Sequence, residues 1–230
     1  MASRAESRAR IVEDVLKLGR QQLADVGAPA LSLRAISREL GLVSSAVYRY
    51  FPSRDALLTA LILESYNDLG AAVERAEADV PRHDLIGRFI ATAHGVRTWA
   101  LAHPNEYALI YGSPVPGYQA PEATVPAASR VPLVMLGVVR DLPPKRRPRR
   151  SLGAAVEALE PLRKSLAPDV DADLLGLGYM AWQLVQGAVS MEVFGHQTNV
   201  VKPSKRSRRA FFEAQIRVIA ELMGLPAVPA

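Results

Sequence analysis

Ser44, Ser45, Ala46, Tyr48, Arg49 and Tyr50 place two hydroxyls, two phenols, a guanidinium and one small methyl side chain within a single short stretch. Such groups hydrogen-bond base edges and phosphate oxygens, and the small residues let a backbone approach a groove closely. The chain shows no Ser/His/Asp arrangement, no Gly-rich phosphate loop and no HExxH spacing. His94, His103 and His196 lack the i, i+4 pairing of a metal site and read as polar core or pocket residues. Glu157, Glu160, Asp169, Asp171 and Asp173 read as solvated surface and a helix start. With no cysteine, thiol catalysis and thiolate metal sites are unavailable. The chemistry on offer is recognition of a nucleic acid, with no metal, no cofactor and no enzymatic turnover expected.

A helix over roughly 45–50 has only Val47 and Phe51 as core-directed anchors, so its neighbours must hold it. Ser32 is a good N-cap for a preceding helix, and Leu31 and Ile36 have the spacing of a hydrophobic staple. Leu33, Ile36 and Leu40 share one face of that helix, while Arg34, Ser37, Arg38 and Glu39 fall largely on the other. Gly41 supplies a left-handed stop, Leu42 and Val43 fill the corner, and Ser44 is positioned to cap the second helix. Pro52 breaks that helix, and Ser53 caps a third with Asp55 in its first turn. Residues 32–51 therefore read as two helices joined by a tight turn.

The run Leu40-Gly41-Leu42-Val43-Ser44, then Ala46-Val47-Tyr48-Arg49-Tyr50-Phe51, then Ser53-Arg54-Asp55-Ala56-Leu57-Leu58 resembles the signature of the TetR (tetracycline-repressor-like) regulators. Their pattern is G-V-S-x-x-x-L-Y-x-H-F-x-x-K-x-x-L. Leu42 stands for Val, Val47 for Leu, Tyr50 for His and Arg54 for Lys. The resemblance covers about residues 9–69, with the helix-turn-helix at 32–51. It implies phosphate contacts for Tyr48, Ser32 and Arg54, and positions in or beside the major groove for Ser44, Ser45, Ala46, Arg49 and Tyr50. Arg34 completes the expected DNA-binding set.

The rest of the chain reads as helical. The first helix is expected over 6–26, with Val12, Leu16 and Leu23 on one stripe, and a long helix over 53–79. Further helices are expected over 84–102, 104–111, 131–140, 151–166, 171–194 and 207–223, with loops at 112–130 and 141–150. The segment Arg97–Tyr107, together with Phe194-Gly195-His196, resembles one C-terminal domain type of TetR regulators. That resemblance implies a ligand-binding and dimerisation domain over 70–226. Trp99, Tyr107, Tyr111, Met135, Tyr179 and Trp182 are its expected ligand-pocket residues, although aromatics at helical spacing serve an ordinary core as well.

The expected fold is therefore all-α, a three-helix DNA-binding head followed by a helical bundle with a four-helix dimer interface. Helices 171–194 and 207–223 carry apolar residues on more than one face, as two copies packing together would require. Expected partners are a double-stranded, palindromic DNA operator, a largely apolar small-molecule effector, and a second copy in a homodimer. A repressor released by its effector is the leading expectation. An activator, or a regulator with a protein or acyl-carrier input, is the alternative, and a helical-bundle enzyme is the third.

With 230 residues, 49% of them hydrophobic, the chain can bury a sizeable core. Its formal charge of +5 and pI near 9.7 suit a polyanionic partner. The densest basic clusters, at 140–150 and 202–209, sit in Pro-rich or Ser-rich connectors and read as solvated loops. The N-terminus lacks the apolar core of a signal peptide, and no run is expected to reach the length of a membrane span, so a cytoplasmic protein is expected.

Overall fold

The protein is described by a computed structural model covering residues 4–147 and 152–225. Ten α-helices occur among the described residues: α1 Arg4–Val26, α2 Leu33–Glu39, α3 Ser44–Tyr48, α4 Arg54–Ala78, α5 Leu85–Ala102, α6 Pro104–Tyr111, α7 Val125–Arg140, α8 Glu160–Leu166, α9 Ala172–Val193 and α10 Lys205–Leu222. The fold is all-α, with no strand among the described residues. Two compact units form, Met1–Asp68 with His103–Ala128, and Leu69–Ala102 with Ser129–Ala230. Helices α4 and α7 each supply residues to both. Residues 103–128 fall in the same compact unit as the helix-turn-helix.

The first unit closes around Val15, Leu23, Leu31, Leu33, Ile36, Val47, Phe51, Leu57, Leu58 and Leu61. Val15 and Leu23 of α1 are buried, with Val12 and Leu16 only half-buried beside them. The buried line on α1 runs through Val15, Gly19 and Leu23, of which only Leu23 belongs to the expected stripe. A Cβ at Gly19 would come within 3.1 Å of Leu61. Leu109, Val115 and Tyr118 pack against the same core, and Tyr118 Oη lies 2.9 Å from Thr59 Oγ1. The expected loop over 112–130 therefore holds two core contacts, and its last residues are helical. Helix α7 begins at Val125, because Pro126 falls in its first turn, where a missing N–H costs nothing.

In the second unit, arginine–carboxylate pairs join the helices. Arg88 of α5 is 1% exposed, donates from Nε to Glu77 of α4 and from Nη1 at 2.7 Å to Asp141 after α7. Arg97 grips Glu192 of α9 through two hydrogen bonds of 2.6 Å, and its guanidinium lies over the Phe212 ring of α10. Arg130 of α7 makes a similar two-pronged bond to Glu74 of α4, packed against Gly70. His94 contacts the Phe212 ring edge-on and lies 3.6 Å from Glu213, and burial pushes its imidazole below the ordinary histidine range.

Two further expectations change. Residues 151–166 were expected to form one helix. Ser151 lies outside the described residues, Gly153–Leu159 is a 3-10 segment, and α8 starts only at Glu160, where Pro161 fits the first turn but would interrupt a continuous helix. The stretch Glu122–Arg140 is, by length and composition, apolar enough to cross a membrane. That contradicts the expectation that no run reaches such a length. Val131, Met135, Val138 and Val139 are buried within the protein, so the stretch is accounted for as a core helix.

Replacing Glu77 with Ala leaves the buried Arg88 short of a carboxylate and is expected to lower unfolding stability by about 3 kcal/mol. Glu64→Ala, which breaks a half-exposed pair with Arg20, is expected to cost less than about 1 kcal/mol. Urea unfolding of the two variants distinguishes them, and equal losses would refute the role assigned to Arg88.

Candidate nucleic-acid interface

The helix-turn-helix is assembled from its caps inward. Ser32 adopts an extended backbone, and its Oγ accepts from Ala35 N at 3.3 Å, as expected of an N-cap. Its own backbone is clasped by α1: Ser32 N donates to Gln22 Oε1 at 2.9 Å, and Gln22 Nε2 reaches back to Ser32 O. Leu31, Leu33 and Ile36 are buried. Ser37, expected outward, is 1% exposed, because its hydroxyl is satisfied by donating to Leu33 O at 2.8 Å. Leu40, expected in the core, is half-buried.

Gly41 ends α2 with φ of 64°. Gly41 N donates to Arg38 O and Leu42 N to Ser37 O, the paired bonds that close a helix through a left-handed glycine. Val43 then takes the N-cap position of α3 with no side-chain bond. Two expectations fail here. Ser44 lies inside the first turn rather than capping it, and Val43, 72% exposed, does not fill the corner. The turn is one residue tighter than the sequence reading supposed, so the cap falls on a residue whose side chain has no acceptor.

Helix α3 is anchored by Val47, fully buried, and by Phe51 just beyond it. Ser44, Ser45, Tyr48 and Arg49 are exposed, and Ala46 and Tyr50 are half-buried. Arg34 is exposed on α2. The exposed residues stand clear of the core that the anchors fill, whereas Tyr50 packs against it. Arg54 differs. Its Nη2 donates to Ala28 O at 2.7 Å and Pro29 O at 3.2 Å, bracing the 3-10 turn after α1 against the start of α4. Ser53 caps α4, accepting from Ala56 N at 3.0 Å. Gln22 and the bracing use of Arg54 escaped sequence reading, because no local pattern announces a polar contact between distant segments.

The expected ligand-pocket residues do not come together in one unit. Tyr107, fully buried, and Tyr111 lie in the first unit, their rings 5.1 Å apart, with Tyr66 edge-on to Tyr111. Trp99, Met135, Tyr179 and Trp182 lie in the second. There a narrow apolar crevice lies between α7, α8 and α9, lined by Pro132, Leu133, Leu136, Leu162, Leu166, Ala167, Leu175 and Tyr179. Only Tyr179 belongs to the expected set, and Trp182 stacks on its ring. Trp99 and Met135 are buried core residues. Leucines supply most of the crevice, and leucines at helical spacing look the same whether they fill a core or line a gap.

In the basic clusters Arg140, Lys145, Arg146, Lys202, Lys205, Arg206 and Arg209 are exposed, while Arg147 and Arg208 are half-buried. Arg149 and Arg150 lie outside the described residues. No group of three or more metal-ligating side chains comes together among the described residues.

Removing the α2 cap with Ser32→Ala is expected to cost about 1 kcal/mol in thermal or urea unfolding. Ser44→Ala, at a position that caps nothing, is expected to change stability by less than about 0.5 kcal/mol. A reversed order would contradict the cap assignment.

Residues 15–61 match the family described as bacterial regulatory proteins of the tetR family. Residues 89–219 match the tetracyclin repressor-like C-terminal domain. The chain is 40% identical over 200 residues to the HTH-type transcriptional regulator Rv1816 of Mycobacterium tuberculosis, covering 85% of this chain and 86% of that protein. It superposes with a TM-score of 0.78 on the crystal structure of SCO4313, described as a candidate regulatory protein, at 29% identity, covering 96% of this chain and all of that one. The fold also matches the TetR family transcriptional regulator PfmR of Thermus thermophilus, with a TM-score of 0.56 at 15% identity, over 90% of this chain and 97% of that one. With its capped turn, its anchored short helix and these likenesses over both domains, the chain belongs to the TetR family of helix-turn-helix transcriptional regulators.

Proposed function

We propose that the protein is a dimeric repressor that binds a palindromic operator and is released from it by a small, largely apolar molecule. The observation that carries the DNA-binding half is the division of α3 into two faces. Val47 and Phe51 are buried, while Ser44, Ser45, Tyr48 and Arg49 project outward. On this reading Tyr48 and Ser32 contact phosphates, Ser44, Ser45, Ala46 and Arg49 reach into the major groove, and Arg34 supports them from α2. Arg54 acts from behind the interface, holding the α1–α2 connection through the carbonyls it caps.

A second copy is called for by an apolar face that the protomer leaves open. On α9, Met180, Leu184 and Met191 are 40–48% exposed, and a Cβ at Gly187 on the same side would meet nothing within 4 Å. On α10, Phe211, Val218 and Leu222 are 43–56% exposed. The opposite faces, including Ala181, Val185, Val189, Ile216 and Ile219, are buried within the protomer. Exposed apolar area of this extent on two long helices suits a two-fold four-helix contact. A dimer also supplies the two recognition helices that a palindrome requires.

The effector is assigned to the apolar crevice beside Tyr179, whose walls offer one phenol and no charge. Its action requires unequal affinity for the DNA-binding and released states, and a hundredfold preference corresponds to about 2.7 kcal/mol. Helix α4 is the natural carrier of the change, since one unbroken helix contributes to both units. The location is cytoplasmic on this reading, where the operator is.

Selection from a random duplex pool, followed by gel shift across a salt series, tests the DNA-binding half. A two-fold symmetric consensus with salt-sensitive affinity is expected, and absence of any preferred sequence would overturn it. Leu184→Glu combined with Val218→Glu is expected to give a monomer by light scattering with operator affinity reduced by at least about tenfold. A persistent dimer would refute the assigned interface.

A further inference from the structure

Helix α1 carries its apolar stripe at Ile11, Val12 and Val15, and one turn earlier the same face holds Arg8. Ile11 and Val12 pack against the first unit's core, and Val15 is buried in it. Arg8 is exposed, so it stands where the stripe runs past the end of that core. Its guanidinium carbon lies 5.8 Å from the centroid of the Tyr50 ring. Tyr50 packs on the same core and directly follows the last turn of α3.

A cation–π contact uses none of the guanidinium N–H donors in a hydrogen bond and leaves them available. No carboxylate claims those donors among the described residues. In the same unit, Arg20 pairs with Glu64 and Arg54 with Asp55, whereas Arg8 has no ion-pair partner among the described residues. A cation held on an aromatic platform at the end of a recognition helix, with its donors unspent, suits one anion above all: a phosphate beside the groove that the helix enters.

We infer that Arg8 is a DNA-backbone contact outside the helix-turn-helix, positioned by Tyr50, and that Tyr50 serves as its platform rather than as a reader of bases. The inference rests on the reading that the outward face of α3 meets DNA. It extends the interface from α2 and α3 onto the first helix of the chain. It also assigns a reason for an arginine on the apolar stripe of α1, where a core residue would otherwise continue.

The test uses the full-length protein with two probes across a salt series. One is a mixed-sequence duplex of about three helical turns, and the other is the tightest duplex that the wild-type protein selects from a random pool. Arg8→Ala is expected to weaken binding to both by a similar factor, about three- to tenfold, and to reduce the slope of log K against log salt by about 0.9. Arg8→Lys keeps the charge and hence the slope. Tyr50→Leu reproduces the loss, and combining it with Arg8→Ala adds little, because both changes remove one contact. Tyr50→Phe keeps the ring and the affinity. A merely structural Arg8 would move the urea midpoint and leave the slope alone. An unchanged slope in Arg8→Ala, with Tyr48→Phe still losing affinity, overturns the Arg8 assignment and leaves the reading of α3 standing. No loss in either variant overturns both.

Discussion

A helix of five residues cannot hold its own shape in water, and the first unit is organised around that constraint. Two anchors, Val47 and Phe51, fix α3 to a core built from α1, α2 and α4. The glycine-closed turn after α2 sets its direction, and Ser53 starts α4 immediately beyond it. Polar contacts then immobilise the supports themselves: Gln22 clasps the Ser32 backbone, and Arg54 braces the turn after α1. Helix α3 thus borrows its order from every neighbour. Its outward residues inherit a fixed geometry without contributing to it.

The second unit meets a different difficulty, that of long helices with apolar residues on opposite sides. Hydrophobic burial alone leaves the rotation of such helices loosely specified. Arg88 and Arg97 add direction, since a guanidinium largely withdrawn from water must find its carboxylates at defined positions. Arg97 ties α5 to α9 through Glu192 and touches α10 through Phe212, so three helices take their register from one side chain. With one face settled inward, the other faces of α9 and α10 are left outward together.

Much of the first unit was legible in the sequence because its signals are local. The Ser32 cap, the Leu31–Ile36 staple, the Gly41 stop and the Val47 and Phe51 anchors each follow from residue type and short spacing. Ser44 and Val43 were misread by one position, since a turn's exact length depends on how two helices meet. The start of α7 was missed because its prolines look like loop residues until Pro126 is seen to occupy a first turn. The crevice beside Tyr179 was barely legible. Aromatic residues drew attention, whereas its walls are mostly leucines from three helices, and only tertiary packing decides which leucines leave a gap. Gln22, Arg54 and the meeting of Arg8 with Tyr50 were hidden for the same reason.

The separation of anchors from outward residues on α3 bears on how such a protein changes over time. Ser44, Ser45 and Arg49 are exposed, and no side-chain bond among those described ties them to the folded chain. Substitutions there meet little resistance from the core, so on the proposed reading of α3 the binding preference can drift while the scaffold stays intact. The first unit is in that sense a socket with an exchangeable reading edge. Duplicated copies of the gene could diverge toward new sites through a few codons, without any rebuilding of the interior.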